Sequence, residues 1–577
     1  MRLNITRSKN SECFYVIKDI INPAGKRTTV IIEALGNLDE VKRKAGEMDY
    51  KLWLKQHIDT LNRLEKDNNR TVSLNLNPKK EIASNQQRMY DGGYLFLKSL
   101  YYQLGLSSIC STINKKYKFE YDLNNILETL IYARVIHPAS KLSSYQASKK
   151  FIERPNFELH DIYRALEVLC KESDYIQSAL YRNSEKLVKR NTSVIYFDCT
   201  NYYFEIDEED GLKQYGVSKE NRPNPIVQMG LFMDSDGIPL LFSIHPSNMN
   251  EQGTLQPTEK KLLRDFAMSK FIVCTDAGLA SSANRRFNDT SNRAFVTTQS
   301  VKKLKKYLKE WAFSSEGWHL INDNKTYNIK DLDKHSHSND VFYKERWINE
   351  NNIEQRLLIT YSVKYRNYQR NIRNRQVDRA IELISSNPKR MEKVRQNDYK
   401  RFITKTALTE SGEVADTTSY TINQEQVESE SKYDGLYALC TNLEDSAETI
   451  INISRRRWEI EESFRIMKDD LETRPIYLSK DDRIVAHFLT CFLALVIYRY
   501  LEKKLNFNLD PNQQYTVKEI IKALKSYKFI HIPGDGYIPL YTKSDITDKL
   551  HQVFGFKTDY EIVSEKKMKN ICRNLKK

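Results

Sequence analysis

The sequence predicts an α/β protein in which a helical region precedes a sheet that a long insertion interrupts. Apolar residues keep a helical spacing between residues 88 and 190, and short apolar runs typical of strands begin at Thr192. The predicted strands are 194–198, 225–233, 239–244, 271–275 and 294–298. A further apolar strand at 433–441 precedes a predicted helix, Ile450 to Asp470. The stretch between them, 300–432, therefore separates the last strand and helix from the rest of the core.

Length and charge narrow the class of protein. The chain has 577 residues, enough for several domains, and its net charge of +15 suits a polyanionic partner. Its 8 cysteines contain no C-x2-C pair, so neither a zinc ribbon nor a disulfide framework is indicated. The longest apolar stretch, Ile484 to Tyr498, is short for a bilayer and is predicted to be a buried helix, with His487 as a core residue. Since no signal peptide is visible, we expect a cytoplasmic protein.

Seven segments are predicted from these changes of pattern. They are an N-terminal hairpin and helix (1–66), a linker (67–87), a helical and DNA-binding domain (88–190), the first part of the core (191–299), a β-rich insertion (300–432), the second part of the core (433–505), and a C-terminal appendix with a basic tail (506–577). The hairpin joins Phe14–Ile20 to Arg27–Ile32 through a turn at 22–25, and one helix follows over Leu38–Lys66.

Four helices are predicted within 88–190, over Tyr94–Leu104, Asn124–Val135, Ala139–Phe151 and Asp161–Lys189. The second and third meet across His137-Pro138 and resemble a helix-turn-helix that carries Lys141, Lys149 and Lys150. A plain helical bundle produces the same pattern, so both interpretations stay open.

Two predicted strands end in an aspartate. Val194–Phe197 leads into Asp198, and Phe271–Thr275 leads into Asp276. In open α/β sheets, ligands bind at the carboxyl ends of the strands. Either aspartate alone is more simply explained as a turn residue or a helix cap.

The helix predicted over 450–470 carries a third acidic candidate. At 100° per residue, Arg457, Glu461 and Lys468 fall within roughly 40° of one another. An i,i+4 salt bridge on an ordinary soluble helix explains this stripe equally well. Taken with Asp198 and Asp276 on a basic chain, however, Glu461 favours a site for a pair of Mg²⁺ ions, which prefer oxygen ligands.

The motifs together resemble the DDE transposases of bacterial insertion sequences, in the branch with a β-rich insertion. That branch has a Tyr-x2-Arg-x3-Glu-x6-Lys pattern, which Arg457, Glu461 and Lys468 match while Ser454 stands in place of the tyrosine. The other matching stretches are residues 5–10, Tyr196-Phe197-Asp198-Cys199-Thr200, Gly237-Ile238-Pro239-Leu240, Thr275-Asp276-Ala277-Gly278, Tyr433-Asp434-Gly435 and Arg474-Pro475-Ile476-Tyr477.

The resemblance implies an RNase H-like catalytic core interrupted by a strand-containing insertion. It implies that Asp198, Asp276 and Glu461 are the catalytic and metal-binding residues, with two Mg²⁺ ions that Mn²⁺ can replace. Arg457 and Lys468 are expected to bind DNA phosphates. The expected partners are double-stranded DNA, both the inverted repeats of an element and its target, and a second copy of the chain in a synaptic dimer.

Three basic segments are expected to support DNA binding. The loop 215–223 should lie close to Asp198. The insertion carries Lys302, Lys303, Lys305 and Lys306, and later Lys364, Arg366, Arg370, Arg373 and Arg375 with Tyr365 and Tyr368 between them. Such runs are usually solvated faces, but beside a nuclease-like site they predict a phosphate track. The tail from Lys566 onward is expected to be flexible.

Three other functions compete with this interpretation. A recombinase with a covalent tyrosine is conceivable for a chain with 35 tyrosines, but we find no convincing Arg–His–Arg constellation. A catalytically inactive DNA-binding protein derived from a transposase is argued against by the intact Asp198, Asp276 and Glu461. Another RNase H-like nuclease is the remaining alternative.

Overall fold

The computed structural model describes residues 1–8, 11–21, 27–68, 78–79, 81–321, 323, 325–332, 336–386, 398–408 and 417–576. These residues form two compact units, Met1–Gln86 and Gln87–Lys577. The turn predicted at 22–25 and part of the predicted linker, 69–77 and residue 80, lie outside the described residues.

The first unit is a three-stranded antiparallel sheet followed by two helices. Its elements are β1 (Arg2–Ser8), β2 (Ser11–Ile21), β3 (Arg27–Asn37), α1 (Leu38–Ala45) and α2 (Tyr50–Asn68). The predicted hairpin is thus present, extended by β1. The single helix predicted over Leu38–Lys66 is two helices, because Gly46 ends α1 with a φ of 61° that favours glycine.

The second unit begins with a short strand and six helices. They are β4 (Met89–Asp91), α3 (Tyr94–Gln103), α4 (Leu106–Lys116), α5 (Leu123–Ile136), α6 (Lys141–Ser148), α7 (Leu159–Lys171) and α8 (Ser173–Leu187). The sequence prediction missed α4 and merged α7 with α8. Within the predicted helix-turn-helix, α5 is almost wholly buried, and Lys141 on α6 is buried as well. Burial lowers the pKa of Lys141 to about 7, with a further contribution from the charge of Arg134. This lysine therefore does not face DNA, although Lys149 and Lys150 are exposed.

The catalytic core follows as strands with two packed helices. Its first part contains β5 (Val194–Tyr203), β6 (Ile226–Asp234), β7 (Pro239–Pro246), α9 (Leu255–Asp265), β8 (Phe271–Thr275), α10 (Ser282–Phe287) and β9 (Arg293–Gln299). The insertion contains α11 (Lys306–Phe313), β10 (Trp318–Leu320), β11 (Thr326–Tyr327), β12 (Val341–Glu350), β13 (Ile353–Ser362), α12 (Val363–Ser386), β14 (Ile403–Leu408), β15 (Thr417–Ile422) and α13 (Gln424–Ser431).

The chain then returns to the core and ends in a small helical and stranded region. These last elements are β16 (Leu436–Thr441), α14 (Ala447–Arg455), α15 (Trp458–Arg465), α16 (Asp481–Asn506), α17 (Val517–Ser526), β17 (Lys528–Ile532), β18 (Gly536–Pro539), α18 (Asp545–Phe554), β19 (Val563–Ser564) and α19 (Glu565–Asn574).

One ten-stranded sheet organises the second unit, in the order β11-β10-β12-β13-β16-β9-β8-β5-β6-β7. The strands β5, β6 and β7 pair antiparallel, whereas β8 and β9 run parallel to β5. This α/β arrangement is the predicted RNase H-like core. The strand predicted at 433–441 rejoins the sheet as β16, beside β9.

The predicted β-rich insertion, 300–432, contributes strands to the core sheet itself. Its strands β12 and β13 continue the central sheet, since β13 pairs with β16 from Arg356↔Thr441 to Tyr361↔Leu436. This pairing covers the edge that β16 would otherwise leave unpaired. Of the described insertion strands, β14 and β15 lie outside the sheet as a hairpin.

The helix α16 lies at the centre of the main hydrophobic core. It is long and apolar enough to cross a membrane, but 94% of its most apolar window is buried inside the protein. His487, on this helix, is a core residue as predicted: it is buried, and its Nε2 lies 3.0 Å from the carbonyl oxygen of Thr473.

The C-terminal appendix is folded, and the prediction of a flexible tail is wrong for the described residues. The strands β17, β18 and β19 form a sheet with β4. The helix α19 buries Met568, Ile571 and Cys572 in the main core.

Candidate active site

The two predicted catalytic aspartates lie on neighbouring parallel strands at equivalent heights. Tyr196 of β5 is paired with Cys274 of β8, so Asp198 and Asp276 each stand two residues beyond a matched pair. Because residues two apart on a strand point to the same face of a sheet, both side chains lie on one face, Asp198 within β5 and Asp276 directly after β8. The structure thus brings together two of the three predicted carboxylates.

Each aspartate also accepts a backbone hydrogen bond from a residue that closely follows it in the chain. The Asp198 Oδ1 atom accepts a hydrogen bond of 2.7 Å from the Cys199 N–H. The Asp276 Oδ1 atom accepts one of 3.1 Å from the Leu279 N–H, as a capping aspartate does. The capping explanation therefore holds for Asp276 but does not exclude a second role.

The electrostatics of Asp198 indicate that the site favours a cation. Burial, and then the negative charge of Asp276, raise the pKa of Asp198 to about 6. Lys219 and Arg457 offset part of this effect. A divalent cation between two such carboxylates would remove their repulsion, and carboxylate oxygens are ligands that Mg²⁺ prefers. The donor set of Asp198 and Asp276 therefore fits a divalent metal.

The helix predicted over Ile450–Asp470 is broken into three parts, and the break positions Arg457. The helix α14 ends at Arg455, α15 starts at Trp458, and a π-helical turn covers Ile466–Asp470. Arg456 and Arg457 lie between the two helices, so the ideal spacing behind the predicted stripe is interrupted. The hydroxyl of Tyr196 on β5 donates to the Ile453 carbonyl at 3.1 Å and so attaches the end of α14 to the sheet.

Arg457 is the residue that connects the three predicted carboxylates. Its Nη2 lies 3.2 Å from the Glu461 Oε1. Burial lowers the pKa of Arg457, but the charges of Tyr437, Glu461, Asp198 and Asp276 outweigh it and raise that pKa. The Glu461 side chain is 56% exposed and pairs with Arg457. The i,i+4 salt bridge of the simpler interpretation is therefore present, and the metal-binding role of Glu461 stays a prediction.

Lys468 lies inside the site rather than on the surface. Its side chain is only 13% exposed, and its Nζ is 3.3 Å from the Glu220 Oε1. Burial, and then the charge of Lys219, lower the pKa of Lys468 to about 8. Arg474 also contacts Glu220. The sequence motif included Arg474 without a role, and Glu220 was not singled out at all.

The loop predicted to approach Asp198 does so through Lys219. The Lys219 Nζ donates to the Cys199 carbonyl at 2.6 Å and pairs with Glu251 at 3.1 Å. The charge of Asp198 helps to raise the pKa of Lys219 although burial lowers it. The loop thus places a cation beside the first catalytic strand.

Tyrosine hydroxyls lie near the position where the resemblance expects a tyrosine. Ser454 lines a cavity of about 330 Å³ together with Tyr365 and Tyr437. Tyr437, on β16, has its hydroxyl 2.7 Å from the Thr298 Oγ1. Sequence reasoning missed Tyr437, because its position depends on the pairing of β16 with β9.

The basic track predicted in the insertion is only partly exposed. Arg373 on α12 is buried, and its two terminal nitrogens contact both Asp434 oxygens at 2.5 and 2.6 Å. This residue therefore stabilises the fold and is not part of a phosphate track. Lys364, Arg370 and Arg375 are exposed on the same helix.

A different acidic cluster has the tightest ligand geometry. Among the residues that the structure describes, Asp548, His551 and Asp559 form the group of three potential ligands whose atoms all lie within 4.8 Å. The carboxylate oxygens of Asp198, Asp276 and Glu461 do not all lie within 4.8 Å of one another. The His551 Nε2 receives the Thr558 N–H at 3.2 Å, which leaves the ring proton on the Nδ1 that faces Asp559. With Lys543 also 3.4 Å from Asp559, this cluster is better explained as a structural ion-pair network.

The fold and its strand-end aspartates define an RNase H-like enzyme, and comparison gives the family. The model of the family described as Transposase DDE domain matches residues 193–497, more than half of the chain, so the chain belongs to this family. It is a DDE transposase, a class of enzyme that uses divalent metal ions and acts on DNA.

Two further comparisons add little. Curated proteins gave no match. Among solved structures, a chain of the piggyBac transposase synaptic complex with hairpin DNA is similar, with a TM-score of 0.37 and 7% sequence identity over 84% of this chain and 89% of that chain. A TM-score this low supports no inference about this chain.

Proposed function

We propose that this transposase cleaves DNA at the ends of a bacterial insertion sequence and joins the freed 3′ ends to target DNA. The observation that supports the proposal is the pairing of β5 with β8, which aligns Asp198 with Asp276 in a chain of the transposase family. Asp198, Asp276 and Glu461 are the catalytic and metal-binding residues of this proposal, with two Mg²⁺ ions that Mn²⁺ can replace.

The protein supplies charge and position in this reaction. Divalent ions held by Asp198, Asp276 and Glu461 would lower the pKa of the attacking water and stabilise the charge on the leaving 3′ oxygen. Asp198 and Asp276, fixed on adjacent strands, set the distance between the oxygen ligands. The freed 3′ hydroxyl then attacks target DNA at the same carboxylates, so no covalent bond between protein and DNA is needed.

Arg457 couples DNA binding to the availability of Glu461. The guanidinium pairs with the Glu461 carboxylate at 3.2 Å. When a DNA phosphate binds Arg457, the salt bridge to Glu461 is broken. The exposed Glu461 side chain is then free to turn toward the metal site. Phosphate binding at Arg457 and completion of the carboxylate set therefore favour each other.

Lys468 and the exposed lysines and arginines of α12 extend the phosphate-binding surface. We propose a cytoplasmic, nucleoid-associated protein that acts as a homodimer, since two ends must be brought together before both are joined to a target.

The test is incubation of the purified full chain with cloned element ends and Mg²⁺ or Mn²⁺, with every nick mapped to the nucleotide. Cleavage at the element boundary that leaves a 3′ hydroxyl supports the proposal. A trapped covalent adduct would instead show a tyrosine recombinase, and binding without nicking at any metal concentration would show an inactive DNA-binding protein.

A further inference from the structure

Two cations of the active-site region converge on one carboxylate. The Lys468 Nζ lies 3.3 Å from the Glu220 Oε1, and the Arg474 guanidinium contacts the same oxygen. Glu220 lies on the loop between β5 and β6, 248 residues from Lys468 in the chain. The three side chains therefore meet through the tertiary fold and not through local sequence.

The two cations are fixed by the backbone around them. The Thr473 N–H donates to the Met467 carbonyl at 2.9 Å, and the Ile476 N–H donates to the Tyr203 carbonyl at 3.2 Å. These bonds hold the segment that carries Arg474 against the π-helical turn of Lys468 and against the end of β5. The Arg474 guanidinium also lies 5.9 Å from the centre of the Tyr203 ring. The backbone that carries both cations is thus held in place, and the Arg474 guanidinium has a second carboxylate partner in Asp469, at 3.2 Å.

We propose that Lys468 and Arg474 form a binding site for a DNA backbone phosphate, and that the Glu220 carboxylate fills this site until DNA displaces it. The inference rests on the proposed function and adds Arg474 as a DNA-binding residue and Glu220 as its competitor. A carboxylate and a phosphodiester each carry one negative charge and accept hydrogen bonds from lysine and arginine. The same two cations cannot pair fully with both.

The exchange of one anion for another has a signature in salt dependence. A phosphate that binds free cations releases counterions, and the logarithm of affinity falls with the logarithm of salt by nearly one for each phosphate neutralised. When the phosphate must displace Glu220, the freed carboxylate takes up a cation from solution. The net number of counterions released on binding is therefore smaller by about one. Removing the Glu220 charge should therefore steepen the salt slope by about one.

The experiment compares binding of a labelled duplex of random sequence to the full-length wild-type protein and to Glu220→Gln, across a range of salt concentrations. We expect Glu220→Gln to bind roughly tenfold more tightly at low salt, as one removed opposing contact permits, with the steeper slope. Glu205→Gln is the matched control, because Glu205 is exposed on the same loop and loses the same charge. Glu220→Asp, which keeps the charge but shortens the side chain, should also bind more tightly and serves if Glu220→Gln melts early.

A double-mutant cycle identifies the cations. In a protein that already carries Lys468→Gln and Arg474→Gln, Glu220→Gln should no longer increase the affinity for DNA. The two cations that Glu220 is proposed to occupy are then absent. An equal gain from Glu205→Gln, or a gain that persists on that background, would overturn the inference in favour of general charge repulsion. Wild-type affinity in both Glu220 variants overturns it too, while leaving the proposed function intact. If the wild-type protein does not bind the duplex at all, the proposed function itself fails.

Discussion

Asp198, within β5, and Asp276, directly after β8, occupy matched positions, each two residues beyond the parallel pair Tyr196 and Cys274. Burial, and then the charge of Asp276, raise the pKa of Asp198. Replacing either aspartate by asparagine distinguishes a catalytic role from a structural one. Asparagine can keep the hydrogen bonds of the aspartate but removes its charge.

Asp276→Asn, Asp198→Asn and Glu461→Gln should each abolish cleavage and strand transfer. Asparagine at position 276 can accept the hydrogen bond from the Leu279 N–H as well as aspartate does, so the fold should persist. Binding to end DNA should also persist, since it depends on cations elsewhere. The measurement is cleavage of end DNA by purified variants, with the exposed Glu205→Gln as control. Near-normal cleavage by any of the three variants would remove that residue from the mechanism.

Arg457→Ala should weaken binding to end DNA and lower the salt slope by about one ion, because it removes one phosphate contact. Arg465→Ala is the matched control: Arg465, the last residue of α15, is paired with Glu462 and Asp470. If Arg457 is only a salt-bridge partner of Glu461, its loss should change stability by under ~1 kcal/mol and leave the salt dependence of DNA binding unaltered. Titrations of both variants at several salt concentrations decide between the two roles.

Mg²⁺ or Mn²⁺ should raise the melting temperature of the protein without DNA. A ligand that binds only the folded state stabilises it by about 2.7 kcal/mol at a concentration one hundred times its Kd. Asp198→Asn should lose this shift. Asp559→Asn should keep it, since we explain the cluster of Asp548, His551 and Asp559 as ion pairs. A shift that survives in Asp198→Asn but is lost in Asp559→Asn would place the metal at the C-terminal cluster instead.

The sequence predicts the core strands well because each has a local signal. The runs that lead to Asp198 and Asp276 are continuous and apolar, and both become strands; β8 ends as predicted, whereas β5 continues past Asp198 to Tyr203. The break at Arg456 and Arg457 has no such signal, since neither glycine nor proline marks it. The break follows the point where the Tyr196 hydroxyl of β5 donates to the Ile453 carbonyl of α14, a contact between residues distant in the chain.

Features that depend on distant pairing could not be predicted. The insertion joins the central sheet because β13 pairs with β16, and the sequence of either strand alone does not select the other. Glu220 meets Lys468 across 248 residues, so no spacing rule could connect them. A weaker signal existed in the C-terminal region, where Met568, Ile571 and Cys572 follow a helical period among lysines.

The burial of α19 yields a stability prediction. Met568→Ala should destabilise the protein by about 2–5 kcal/mol, the usual cost of a large-to-small change in a core. Lys569→Ala, next to it and 80% exposed, should have little effect. Chemical denaturation of both variants is the measurement. Equal stability of Met568→Ala and wild type would restore the flexible tail that the sequence suggested.

The buried Glu259 should make stability depend on pH. This residue on α9 is fully buried, its Oε1 accepts from the Asn288 Nδ2 at 2.8 Å, and burial raises its pKa to about 8. The folded state therefore keeps a proton that the unfolded chain has lost, so the stabilisation is complete below the ordinary pKa of 4.5 and is lost as pH rises through about 8. In that interval Glu259 should contribute a decline of about 1.4 kcal/mol per pH unit to the free energy of unfolding. Glu259→Gln, which can keep the Asn288 contact, should lack this contribution, whereas the exposed Glu561→Gln should follow the wild type. Parallel profiles for wild type and Glu259→Gln between pH 5 and 8 would mean that Glu259 is ionised in the folded protein.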